Sequence, residues 1–316
     1  MNATSLIGFG VVFVLVGVTT SAALAWLVPR LAPRGPSVER RLATLAALLP
    51  VVLATAVVAI LAIQSMIGVD HCTVDGHHAH LCLFHGMVWA ERPWAIAVVA
   101  AGLAVVAARA LAVLTSHLRG RALVARLRAK LEGDARVQLV PSARMFCVVA
   151  GLRRPTIYVS TAAREALAPD EWDAMLAHEA SHIAHRDLWH RLALELLLLF
   201  AAPLAGIAIR ERWEAATERL RDADAAERTS AEAVASALVH MARGQALARL
   251  AAVAPFTATG ARLLALRVES LLDGAARGEP SARRLAGVAL TSTAAVLALA
   301  LAFAEPLHHA LETLLG

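Results

Sequence analysis

His178-Glu179-Ala180-Ser181-His182 decides how this chain is read. The two histidines stand four residues apart, one turn along the same face of a helix. Two imidazoles stacked in that way can share a Zn²⁺ ion, and the glutamate between them lies close enough to act on a water at that ion. Zinc lowers the pKa of such a water toward roughly 7 and polarises a carbonyl. Glu179 would accept the water's proton and deliver it to a leaving amine. The motif therefore predicts peptide-bond hydrolysis with Glu179 as catalytic base, His178 and His182 as metal ligands, and one zinc per chain. Five residues in an Ala-rich helix can also arise by coincidence, as a polar face on a surface helix, so the third ligand must be found elsewhere.

An astacin-like extension would need Gly and His three and six residues after His182, where this chain has His185 and Leu188. That class is excluded, and the remaining option is a glutamate from a later helix. Glu218-Arg219-Leu220-Arg221-Asp222 offers Glu218 as a ligand, with Asp222 one turn on to hydrogen-bond a ligand histidine from behind. Glu214 and Glu227 compete for the same role. Between the motifs, residues 187–200 are apolar, Pro203 interrupts, and Leu204 begins a new helical pattern. A helix of about 14 residues out and 14 back, roughly 20 Å each way, returns the chain to its starting level. Residues 187–217 are therefore expected to form a membrane-associated hairpin that brings Glu218 to His178 and His182. A full crossing would separate them.

The chain has 316 residues, 59% of them hydrophobic and only 17% charged, with a mean hydropathy of +0.62. Uncharged runs of Ala, Leu and Val at about 6–28, 42–68, 94–114 and 285–304 are long enough for four transmembrane helices. The first lacks a basic lead-in and reads as a retained span, not a cleaved signal. Arg30, Arg34, Arg40 and Arg41 follow the first span, Arg92 alone precedes the third, and Arg119, Arg121, Arg126, Arg128 and Lys130 follow it. This alternation predicts that the region after the third span is cytoplasmic. It also explains the net charge of +5 without nucleic acid, and direct nucleic-acid binding is not expected because no basic patch is interleaved with aromatics. Arg109 falls near the cytoplasmic end of its span, where it can snorkel.

Three parts follow: a three-helix transmembrane region at 1–117, a zinc peptidase domain at 118–283, and a C-terminal transmembrane helix at 284–316. The outer loop at 69–93 gathers His71, Cys72, Asp75, His77, His78, His80, Cys82 and His85. A Cys72–Cys82 disulfide pinning a polar loop is one reading, and a metal or pH sensor is the other. The peptidase part opens with a basic helix at 117–131. Three short strands follow, at 136–140, 145–149 and 156–160, and then helices from Pro169 onward. The second strand is either an edge that could pair with an extended substrate or a packed central strand. Cys147 on it reads as an inert core thiol. His185 lies one turn beyond the ligand pair, either behind the ligands or as a polar helix end. Asp187 is expected to orient its helix or neighbouring arginines. His308 and His309 suggest only an interfacial position.

With these residues in place, the chain resembles the BlaR/MecR-type membrane metallopeptidases. The likeness rests on Gly151-Leu152-Arg153-Arg154-Pro155-Thr156-Ile157-Tyr158-Val159-Ser160, on Leu176-Ala177 with the His178–Asp187 stretch, on the Glu218–Asp222 motif, and on Arg267-Val268-Glu269-Ser270-Leu271-Leu272. It covers about residues 130–272. The resemblance implies a gluzincin fold of small sheet plus helices, with zinc on His178, His182 and Glu218. It also implies a bacterial inner-membrane location and a protein or peptide substrate, a transcriptional repressor in the best-known members. Two features depart from it. Arg221 stands where a Cys commonly precedes the Asp, and the chain ends at Gly316 without the extracellular penicillin-binding domain of the sensors, so β-lactam sensing is not expected. The neighbouring HtpX and CAAX-protease group, with processing or quality-control roles, shares the chemistry and is the alternative. A non-catalytic metal-sensing membrane protein is a further alternative, which the intact Glu179 argues against.

Overall fold

The computed structural model describes residues 3–30, 35–67, 88–130, 136–250 and 258–272. Three long helices form the first region: α1 (Ala3–Leu27), α2 (Pro36–Ile67) and α3 (Pro93–Lys130). Each contains a stretch long and apolar enough to cross a membrane, and these are the three such helices among the described residues. The expected fourth span at 285–304 and the His/Cys loop, with Cys72, Cys82, His71, His77, His78, His80 and His85, lie outside the described residues. Phe9, Val11 and Val12 of α1 pack against Leu61 near the end of α2 and Ala95 near the start of α3. Val28, just past α1, meets Ala43 near the start of α2. The three helices therefore run up, down and up. Small residues let two of them approach closely: a Cβ on Gly102 of α3 would lie 2.8 Å from Val14 Cγ2 of α1.

One expectation is corrected here. A span ending near 114 and a separate basic helix at 117–131 are in fact one continuous helix, α3. No proline falls at the junction, and the hydroxyls of Thr115 and Ser116 donate back to the carbonyls of Ala112 and Val113. At 1.5 Å per residue this 38-residue helix is about 57 Å long, well beyond a ~30 Å hydrocarbon layer.

The second region begins with strands β1 (Val137–Val140), β2 (Cys147–Ala150) and β3 (Thr156–Ser160). β3 is the buried centre, parallel to β1 and antiparallel to β2. Thus β2 is an edge strand, with Val148 largely exposed. Helices α4 (Thr161–Ala166), α5 (Pro169–Ala184), α6 (Asp187–Leu197), α7 (Pro203–Arg228), α8 (Ala231–Leu250) and α9 (Ala258–Leu272) follow. Ile157, Val159, Ala163, Leu167 and Met175 form the core between sheet and α5.

Helix α6, a 3-10 turn at Leu198–Phe200 and the first half of α7 make the hairpin. Leu194, Leu198, Ala201, Ile209 and Trp213 bury against Val28, Ala43, Ala46 and Ala47 at one end of the membrane helices. The apex goes deeper: the Phe200 ring meets Phe13 edge-on, and Ala202 N–H donates to Ser21 Oγ. Arg109 is not placed as a snorkelling residue. Its guanidinium donates to the carbonyls of Leu198 at 2.7 Å and Ala201 at 2.5 Å. The turn's carbonyls, of which Leu198 O also accepts the Ala201 N–H at 3.2 Å, supply partners that solvent would otherwise provide.

Candidate metal centre

Helix α5 carries the first motif, and its start is set locally. Pro169 occupies the first helical position, and Glu171 Oε2 accepts the N–H of Ala168 at 3.0 Å. Glu171 also pairs with His240 of α8 at 2.7 Å, which ties α5 to its neighbour. Ala174, Met175, His178 and Ser181 make the buried face of α5. The helix ends where Arg186 turns left-handed (φ 53°). That reversal costs a non-glycine residue roughly 1–2 kcal/mol, and it sends Asp187 back toward the histidines.

The donor atoms of His178, His182 and Glu218 all lie within 4.8 Å of one another. His178 Nε2 and His182 Nε2 are 3.2 Å apart. Glu218 from α7 faces both, 3.5 Å from the first and 3.6 Å from the second. The competitors do not join the donor group: Glu214 lines the same cavity but pairs with Arg191 at 2.9 Å, and Glu227 is exposed. Two imidazole nitrogens and one carboxylate, with room left on one side, suit a zinc ion of the catalytic kind.

Each ring's far nitrogen meets a carboxylate. His178 Nδ1 lies 2.9 Å from Asp222 Oδ1, an oblique contact, and His182 Nδ1 lies 2.9 Å from Asp187 Oδ2. Asp222 falls where the sequence placed it, behind a ligand histidine. Asp187 was expected only to orient its helix or nearby arginines; the structure sets it behind His182 as well. The missed signal was its position, five residues past His182 and just across a helix end. Three arginines complete the surround. Arg267 of α9 makes a two-pronged contact with Asp222 at 2.7 and 2.6 Å and reaches Glu218 at 3.1 Å. Arg221, buried beside Asp222, approaches Asp187 at 3.0 Å and also engages Ser181, Asp224 and His185. Arg40 comes from the membrane helix α2 and donates to Asp187 Oδ1 at 2.8 Å. His185 is not brought to the donor group. It caps α5, half exposed, with Nδ1 3.0 Å from the Ser181 carbonyl.

These charges set the titration of the site. Burial disfavours a charged His178, but the nearby Asp222 and Glu218 carboxylates outweigh it and raise its pKa to about 9. Burial would raise Glu218, yet the His178 hydrogen bond and the Arg267 guanidinium take it down to about 2. Burial would likewise raise Asp222, but its contacts with Arg267 and His178 outweigh that and lower it. Glu179 moves the other way. Burial raises it, Glu218 adds to the rise, and the two histidines and Arg267 offset only part. A carboxylate raised toward neutrality is suited to proton transfer.

A cavity of about 540 Å³ opens over the donor group, lined by Glu179 and the edge strand β2 on one side and by α8 and α9 on the other. Leu238, Met241, Leu263 and Leu264 give it an apolar wall. Cys147 lines it too, while also packing against the core between sheet and α5. Burial and the Glu179 charge push its pKa up, which keeps it protonated and weakly nucleophilic.

Residues 118–260 match the family model described as Peptidase family M48. No curated protein and no solved structure matches the chain significantly. The family match, the His178–His182–Glu218 group and the three membrane-length helices together support a membrane-type metallopeptidase acting on a protein or peptide.

Proposed function

We propose that this protein is a membrane-anchored zinc endopeptidase that cuts a protein substrate at the cytoplasmic face of a bacterial inner membrane. The observation that carries the reading is one pocket holding both the three-donor group and Glu179. His178, His182 and Glu218 would hold one zinc, with Asp222 and Asp187 fixing the ring orientations. When bound, the zinc supplies Lewis acidity toward the scissile carbonyl and acidifies an attacking water. Glu179 takes the proton of that water on its carboxylate and hands it to the amide nitrogen as the C–N bond breaks. The edge of β2 offers free backbone groups to an extended substrate chain, and the apolar wall receives its side chains.

Cleavage of a cytoplasmic repressor, as the BlaR/MecR-like segments suggest, is the reading proposed for the substrate; quality-control or processing cleavage of the HtpX/CAAX kind is the alternative. Purified full-length chain in detergent should contain one zinc and cleave a mixed peptide library. Glu179→Gln should keep the zinc while losing cleavage by about 10²–10⁴-fold, the range for a positioned general base. Undiminished cleavage by that variant ends the proposal. A second assay, comparing cleavage of repressor proteins with cleavage of unfolded membrane proteins, separates the two substrate readings.

A further inference from the structure

We propose that Arg40, in the first helical turns of the membrane helix α2, is a positioning residue for the metal centre, holding the His182 imidazole in place through Asp187. The proposal rests on the zinc reading given above and adds a contribution from the membrane region to it. Asp187 stands between two elements that are far apart in sequence. Its Oδ2 lies 2.9 Å from His182 Nδ1, and its Oδ1 accepts from Arg40 at 2.8 Å. Both partners of the Arg40–Asp187 pair are largely buried, with side chains 16% and 7% exposed. Solvent and salt therefore screen it less than an ordinary surface ion pair.

Arg40 is itself held. Its guanidinium lies over the Trp213 ring of α7 at 5.1 Å and reaches His190 Nδ1 at 3.3 Å. The preceding residue, Glu39, pairs with Arg212 and Arg219 of α7, the second of these adjacent to Glu218. One turn of α2 thus grips the helix of the glutamate ligand and, through Asp187, the ring of a histidine ligand. An imidazole can rotate about its side-chain bonds, and a carboxylate at Nδ1 fixes both its tautomer and its plane. A carboxylate that is itself anchored fixes them better. Arg221 Nε supports the Oδ2 atom from the catalytic side, which leaves Oδ1 to the membrane side.

The test uses the full-length chain in detergent. Zinc affinity is measured by chelator competition for wild type, Arg40→Ala, Arg40→Met, Arg40→Lys, Asp187→Ala and the Arg40→Ala/Asp187→Ala double variant. The visible spectrum of the cobalt-substituted proteins is recorded as a report on ligand geometry. Arg40→Ala and Arg40→Met should each weaken zinc about tenfold and alter the cobalt spectrum, at the low end of the 10–100-fold range for residues behind a ligand. Arg40→Lys should recover most of both, and the double variant should bind no more weakly than Asp187→Ala alone. Arg40→Met keeps the apolar stem against Trp213, so a folding defect confined to Arg40→Ala does not obscure the result. Wild-type affinity and spectrum in both Arg40→Ala and Arg40→Met, or a double variant whose losses simply multiply, overturns the proposal. Wild-type zinc affinity in Glu218→Ala instead removes the metal reading beneath it, and the proposal falls with that reading.

Discussion

Around the donor group, single residues decide between binding a metal and repelling one. His178 faces two carboxylates, and Glu218 faces two histidines and a guanidinium. In chain stripped of metal, the pKa of His178 is raised to about 9 from an ordinary 6.5. Its stabilisation is complete below about 6.5 and is lost as pH rises through 9. Glu218 is lowered to about 2 from 4.5, so its contribution is present above 4.5 and is lost as pH falls toward 2. Thermal melts of metal-free protein should therefore show greatest stability between those limits, and His178→Ala should flatten the alkaline side. An unchanged alkaline slope in that variant would disprove the assignment. Asp222 should matter through the ring it holds: Asp222→Asn is expected to weaken zinc about 10–100-fold with the fold retained, as read by chelator competition.

At the scale of elements, the hairpin of α6 and α7 is the feature that builds the site. It carries Glu218 back to α5 and seats its apex among the membrane helices. The up-and-back geometry followed from residue spacing, because helix rise is nearly constant and Pro203 marks the bend. The clamp on that apex did not. Nothing in the neighbourhood of Arg109 in sequence announces that it meets carbonyls 89 to 92 residues later. Removing it would strand polar groups in an apolar setting, at roughly 1–3 kcal/mol for a buried group left unpaired. Arg109→Ala should lower the melting temperature of the detergent-solubilised protein by several degrees while leaving zinc stoichiometry at one; an unshifted melt would show that the contact contributes nothing. Replacing Gly102 by Val should loosen α3 from α1, since even a Cβ there would sit 2.8 Å from Val14.

For the molecule as a whole, arginines cluster after α1 and along the end of α3, which the up-down-up packing places at one end of the three helices, beside the catalytic region. Alkaline phosphatase fused within 69–93 should be active and fused within 131–135 inactive; the reverse pattern would place the peptidase outside. The sequence alone determined the membrane class, the α5 motif with its start at Pro169 and the three strands, and it offered Glu218 with Glu214 and Glu227 still in competition. Each of these follows from local periodicity, a capping residue or a fixed rise per residue. Only the tertiary structure decided that α3 runs unbroken, that β2 is the edge beside the pocket, that Asp187 backs His182, and that Arg267, Arg221 and Arg40 ring the site. Those contacts join side chains far apart in the chain, and their partners are chosen by burial. A charge taken out of water needs an opposite charge beside it, and only the packed helices determine which one is near.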